Sequence, residues 1–110
     1  MKGFQVTFFT NQGRRHGHKV VHDWLMEVGK SLGITGITVL MGAEGVGRNG
    51  KLHSAHFFEY ADQPIEVSMA LTEEQSNTLF DLLEKEEANL FYIRTPVEYG
   101  VAGAPRKVAG

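Results

Sequence analysis

Two clusters of side chains in this 110-residue chain have the types needed to bind or react. The first is Arg14, Arg15, His16, His18 and Lys19, with His22 shortly after. The second sets Gly42, Gly45, Gly47 and Gly50 around a single arginine, Arg48, with His53 and His56 beyond it. Cationic side chains next to glycine-rich backbone suit an anion: the cations neutralise charge, and the N–H groups of a small-residue loop converge on oxygen atoms as a nest. Phosphate is the natural ligand of such a set. The imidazoles suggest a second chemistry. His16, His18 and His22 read H-x-H-x3-H and His53 and His56 read H-x-x-H, spacings that assemble a zinc, nickel or copper site if the two groups meet. Because a loop histidine is usually solvated and a strand histidine usually packs as a neutral, hydrogen-bonded group, the anion site is the first reading and the divalent metal the alternative.

Covalent chemistry finds less support. Ser54 beside His53, or His56 with Glu59 or Asp62, supplies the types of a nucleophile and a base, yet adjacent strand residues point to opposite faces. Ser54 and His56 do share a face. No nucleophile elbow, carboxylate pair or HExxH helix is present, so no catalytic residue is assigned and the chain reads as a binding module rather than an enzyme. A cofactor-free oxygenase or isomerase, with His56, Phe58 and Tyr60 lining a pocket, is the third reading. Gly45-x-Gly47-x-x-Gly50 formally matches the dinucleotide fingerprint, but extended sequence follows where that motif opens a helix. No GxxxxGK[ST] occurs either, which excludes a Walker loop.

The elements that must carry these residues follow from periodicity. Phe4, Val6 and Phe8 alternate with Gln5, Thr7 and Phe9, which predicts a strand over residues 3–9. Residues 10–19 hold turn formers and basic side chains and read as an exposed loop. Val20, Val21, Trp24, Leu25, Val28 and Leu32 recur at helical spacing, with Gly33 as the stop. Ile37, Val39 and Met41 form a second strand leading into the glycine loop, 42–52, and extended sequence resumes near Lys51. After the turn at Asp62-Gln63-Pro64, Ile65, Val67, Met69 and Leu71 give a one-sided strand. Thr72 and Gln75 form a capping box for a second helix carrying Leu79, Phe80 and Leu83 inward, and the acidic run from Glu84 to Glu87 reads as a solvated face. A last core strand covers Leu90 to Ile93, and residues 97–110 read as a flexible or subunit-contacting tail.

This order, β-α-β then β-α-β, is the split ferredoxin-like sandwich: α+β, with two helices on one face of an antiparallel sheet. Its loops 10–19, 42–52 and 84–90 should gather at one end, bringing Arg14, Arg15, His16, His18, Lys19 and Arg48 together, with the N-terminus of the first helix adding partial positive charge. Apolar residues on both sheet faces favour oligomerisation.

Composition bounds the rest. At 110 residues the chain fits one domain, 1–110, with its core over 3–96. Zero cysteines remove disulfides, thiolate metal sites and cysteine nucleophiles. A formal net charge of −2 argues against nucleic acid as the main partner. Short apolar runs and an N-terminus without a leader pattern read as cytoplasmic, with no membrane insertion.

Four segments together resemble the family called domain of unknown function 190, a PII-like branch related to the nitrogen regulatory protein PII. They are the opening K-G-F-Q-V-T-F-F-T, the G-H-K entering the first helix, G-I-T-G-I-T-V-L-x-G-x-x-G-V-G-R, and the return H-S-A-H-F-F-E-Y-A-D-Q-P-I-E-V. The resemblance implies a ferredoxin-like homotrimer that binds adenine nucleotides in clefts between subunits and touches a protein target, such as a membrane transporter, through the loop after the second strand. It implies that Gly45, Gly47 and Arg48 resemble the start of the PII T-loop, with Arg48 facing phosphate. Arg14 or Arg15 would share the neutralisation, and His18 and Lys19 would support it. The chain departs from PII in two places. The span from Arg48 to Pro64 is short for a T-loop with a modifiable tyrosine, and Glu84 to Asn89 replaces the lysine-containing phosphate grip before the last strand. A small anionic effector with fewer phosphates suits this basic set better than a triphosphate.

Overall fold

The computed structural model describes residues 1–42, 44–46, 52–54 and 62–105. Alternation in the first segment yields β1 (Lys2–Asn11), two residues longer at its C-terminal end than the pattern suggested. Residues 10–19 are not a loop throughout. After β1 ends, β2 (Arg15–His16) and β3 (Lys19–Val20) pair as a hairpin, Arg15 opposite Val20 and His16 opposite Lys19. Its two-residue turn places Gly17 at φ +64°, a conformation that a first central residue of a type II′ turn requires and glycine supplies without strain.

Helix α1 (Val21–Ser31) buries Val21, Leu25 and Val28. It closes in a Schellman motif: Gly33 at φ +76° donates to the Lys30 carbonyl (3.0 Å), and Ile34 donates to that of Gly29 (2.9 Å). Then come β4 (Thr38–Met41), β5 (Glu44–Val46), β6 (Leu52–Ser54), β7 (Pro64–Leu71), α2 (Glu73–Lys85) and β8 (Phe91–Glu98). The capping box is present in full, Thr72 Oγ1 accepting from the Gln75 N–H and Gln75 Oε1 from that of Thr72.

The main sheet has the order β4-β7-β1-β8 with every neighbour antiparallel, the ferredoxin-like arrangement. Both helices cover one face. There Val6, Phe8, Ile65, Val67, Met69 and Leu71 pack with Leu25 and Leu79, all nearly inaccessible to solvent. Burial of each such side chain contributes roughly 1.5–3 kcal/mol, so the alternation in β1 and β7 is enough to decide which face meets the helices.

Among the described residues, no element covers the other face. Thr7 Oγ1 and Ser68 Oγ share a 2.9 Å hydrogen bond at its centre, Phe9 and Phe91 pair with centroids 5.6 Å apart, and Leu40, Phe91 and Ile93 are about half exposed (54%, 48% and 53%). The last strand is therefore no core strand. β8 is an exposed edge running through Glu98, so the stretch beginning at Val97 starts inside the sheet, and Met1 and Tyr99 exchange backbone hydrogen bonds just beyond it. Tyr92 and Arg94 hold β8 to the helix layer, the Tyr92 ring meeting that of Phe80 edge-on with centroids 4.6 Å apart. The Arg94 guanidinium lies 4.6 Å from the Phe80 ring centre and 5.2 Å from that of Phe4, and it donates to the buried Ser76 hydroxyl (3.2 Å).

Candidate functional site

Strand direction decides where the chemistry gathers. β1 and β4 both run antiparallel to β7, hence parallel to each other, and the register places Asn11 opposite Pro64, Met41 opposite Ile65 and Phe9 opposite Phe91. The hairpin 15–20, the segment leaving Met41 and the turn 86–90 therefore share one end of the sheet. Backbone bonds fasten that end: Gln12 N–H to the Gln63 carbonyl (3.0 Å) and Gly42 N–H to the Pro64 carbonyl (2.8 Å). From it rises a separate two-stranded arm, β5 with β6, in which Gly45 stands opposite His53 and Glu44 opposite Ser54. The glycine segment is thus partly a hairpin rather than a loop. Gly47, Arg48, Glu59 and His56, with Phe58 and Tyr60, lie outside the described residues, as do the side chains of His53 and Ser54.

Arg14 is the centre of this end. Its Nη2 donates to the carbonyls of Ala88 (2.6 Å) and Asn89 (2.7 Å), 74 and 75 positions away in sequence. Its own carbonyl accepts from the Val21 N–H (2.8 Å) at the start of α1. Hydrogen bonds from a charged donor contribute about 1.5–3 kcal/mol each, so one side chain joins the end of β1, the start of α1 and the entry to β8. The other cations are engaged differently. Arg15 is exposed and donates to the His18 carbonyl (3.3 Å), while the Lys19 ammonium pairs with Glu27 on α1. His18 is exposed at the hairpin turn. Arg14 and Arg15 do not act as an equivalent pair: the first is turned onto backbone, the second stands at the surface.

The start of α1 has Val20 as N-cap with no side-chain cap, and the local chain supplies instead the Arg14 carbonyl to the Val21 N–H and Asp23 in the first turn. The turn before β8 is formed by the end of α2, which also closes in a Schellman motif, Glu87 donating to the Glu84 carbonyl (3.0 Å) and Ala88 to that of Leu83 (3.0 Å), with Glu86 bonded to Leu82 (2.9 Å). The amides that would grip a phosphate are occupied by helix carbonyls. Glu87 holds the left-handed position with φ 50°, as does Asn89, in place of the glycine found at the end of α1.

The histidines do not assemble. His16 stacks on Trp24 (centroids 4.0 Å apart, planes at 28°) and sets Nε2 3.5 Å from Glu86, whereas His22 lies 3.6 Å from Asp23. Among the described residues no three histidine or carboxylate side chains are placed to hold a metal ion. Sequence reading missed the Trp24 stack and the role of Glu86, which it placed on a solvated face. The aromatic at helical spacing carried no sign of its partner.

The family comparison agrees with this architecture. The model of domain of unknown function 190, described as "Uncharacterized ACR, COG1993", matches residues 3–99, and the chain belongs to that family. No curated protein matches the chain in sequence. Among solved structures it is similar to CPII, a nitrogen regulatory PII-like protein from Thiomonas intermedia K12 bound to ADP, AMP and bicarbonate. That match has 20% identity, 88% of this chain, 89% of that one and a TM-score of 0.59. It is also similar to a protein from Thermus thermophilus assigned to PII-like signaling, with 18% identity, 87% and 85% coverage and a TM-score of 0.59. The apo form of CPII matches at 15% identity over 88% and 92%, with a TM-score of 0.53. At these identities the likeness establishes the fold, a PII-like ferredoxin-like sandwich. Among the described residues no helix is long and apolar enough to cross a membrane.

Proposed function

We propose that this protein is a non-enzymatic, PII-like sensor that binds a small adenine nucleotide and signals through the segment 42–53. The observation that carries the reading is the convergence of the β2–β3 hairpin, the base of the β5–β6 arm and the start of α1 at one end of the sheet. Family membership and a structural neighbour bound to ADP and AMP support it. Arg15, His18 and Lys19 stand at the exposed edge of this end and Arg48 follows the β5 strand, so these cations are assigned to phosphate, with Gly45 and Gly47 giving backbone approach. Arg14 organises the same end from beneath. The occupied amides of the 86–88 turn argue for a mono- or diphosphate over a triphosphate. The sheet face away from the helices, carrying Leu40, Phe9, Phe91 and Ile93, supports assembly into a homotrimer, whose clefts would complete the site from a neighbouring subunit. Ordering of the arm by the effector would change its fit to a protein target, by as much as the effector's affinities for the two arm states differ.

Thermal unfolding with AMP, ADP and ATP, alongside solution mass, tests the reading. A ligand at about a hundredfold its Kd stabilises the native state by roughly 2.7 kcal/mol. ADP or AMP should raise the midpoint, and Arg48→Ala should abolish the shift. A midpoint indifferent to all three nucleotides would overturn the nucleotide assignment, and an unchanged shift in Arg48→Ala would overturn that residue's role.

A further inference from the structure

Two segments 70 to 75 positions apart are tied together at the site end. Arg14 Nη2 donates to the Ala88 and Asn89 carbonyls at 2.6 and 2.7 Å, and His16 Nε2 lies 3.5 Å from Glu86 Oε2. These contacts join the β2–β3 hairpin, which displays Arg15, His18 and Lys19, to the turn that leads into β8. One tie is permanent and the other conditional. A guanidinium stays protonated, whereas an imidazole forms an ion pair with a carboxylate only in its charged form, the neutral ring offering at most a single N–H hydrogen bond. We propose that the hairpin is a proton-set latch: Arg14 positions the 86–90 turn, and protonation of His16 draws the hairpin onto Glu86, which fixes where Arg15, His18 and Lys19 stand.

The surroundings of His16 agree with this assignment. From its own hairpin, Lys19 stands opposite in register, but its ammonium is engaged by Glu27 of α1, and Arg15 is turned to the His18 carbonyl. From α1, the stacked Trp24 is uncharged, and Asp23 is next to His22. From the end of α2, Glu86 is the carboxylate within ion-pair distance. The turn itself is sensitive to its ties, because Glu87 holds φ of 50°, a conformation that costs a residue of its type energy and persists where surrounding contacts impose it. Loss of one tie should therefore move the turn rather than leave it in place.

Trp24 is the chain's only tryptophan, so its fluorescence reports the charge on the stacked ring. In effector-free protein between pH 5 and 8, hydrogen exchange at residues 86–90, corrected for intrinsic rates, should rise several-fold with pH alongside a change in Trp24 emission. His16→Gln should remove both. Glu86→Gln, a surface change, should keep the emission change and remove the pH dependence of exchange. Exchange that is flat with pH in the wild type, or keeps its pH dependence in either variant, overturns the latch. Its regulatory consequence rests on the nucleotide reading. ADP affinity should follow the latch in the wild type and not in Glu86→Gln; a pH-independent affinity overturns regulation by the latch. Absence of ADP binding at every pH removes the nucleotide reading and that consequence together, while the exchange data still decide the latch.

Discussion

The two ends of the sandwich are closed by different means. At the end away from the candidate site, Thr72 and Gln75 cap α2, Gly33 terminates α1, and Gln75 Nε2 reaches the Leu32 carbonyl (3.3 Å) to join the two helix ends. Each residue there is the type its local conformation favours. At the site end α1 starts on an uncapped valine, α2 ends with glutamate at the left-handed position, and a single arginine bridges segments that local sequence does not connect. At both helix termini of the far end local preference is satisfied, whereas at those of the candidate site end it is set aside, a pattern that accompanies sites whose geometry serves something other than folding.

The sharpest way to break this contrast is Arg14→Ala. It removes two charge-assisted bonds and should destabilise the protein by about 3 kcal/mol in urea unfolding. A loss no larger than that of a helix cap would mean that the site end does not depend on this clamp. Gly33→Ala places a Cβ in the left-handed region and should cost roughly 1–2 kcal/mol. Thr72→Ala removes the cap of α2 and should cost about 1 kcal/mol, read in the same unfolding experiment. The mirror substitution, Glu87→Gly, should act with the opposite sign: relief of the strained φ outweighs the added freedom of the unfolded chain, for a gain of about 0.5 kcal/mol. Destabilisation by Glu87→Gly would show that the glutamate side chain makes a contribution larger than its backbone strain.

Most of the far end and the covered sheet face were legible in the sequence. Alternation in β1 and β7 marks one side for burial, and Thr72, Gln75 and Gly33 announce their helix ends by type and spacing. The hairpin at 15–20 was less so, although Gly17 between short extended pieces is a turn signal; its basic composition suggested a loop. β8 illustrates the opposite error. Phe91 and Ile93 read as core by hydrophobicity, yet they lie on an edge strand and on the face away from the helices, and hydrophobicity alone does not distinguish burial within a chain from burial between chains.

By itself, then, the sequence determined the order of the main-sheet strands and helices, the antiparallel sandwich and the identity of its inner face, because periodicity and capping are local and burial of apolar residues is strong enough to enforce them. Only the tertiary structure decided how the cations divide: Arg14 onto backbone carbonyls, Lys19 onto Glu27, Arg15 to the surface and His16 against Trp24 and Glu86. Those pairings join residues across the fold, and a charged side chain's partner is set by which segments the topology brings within a few ångströms of it.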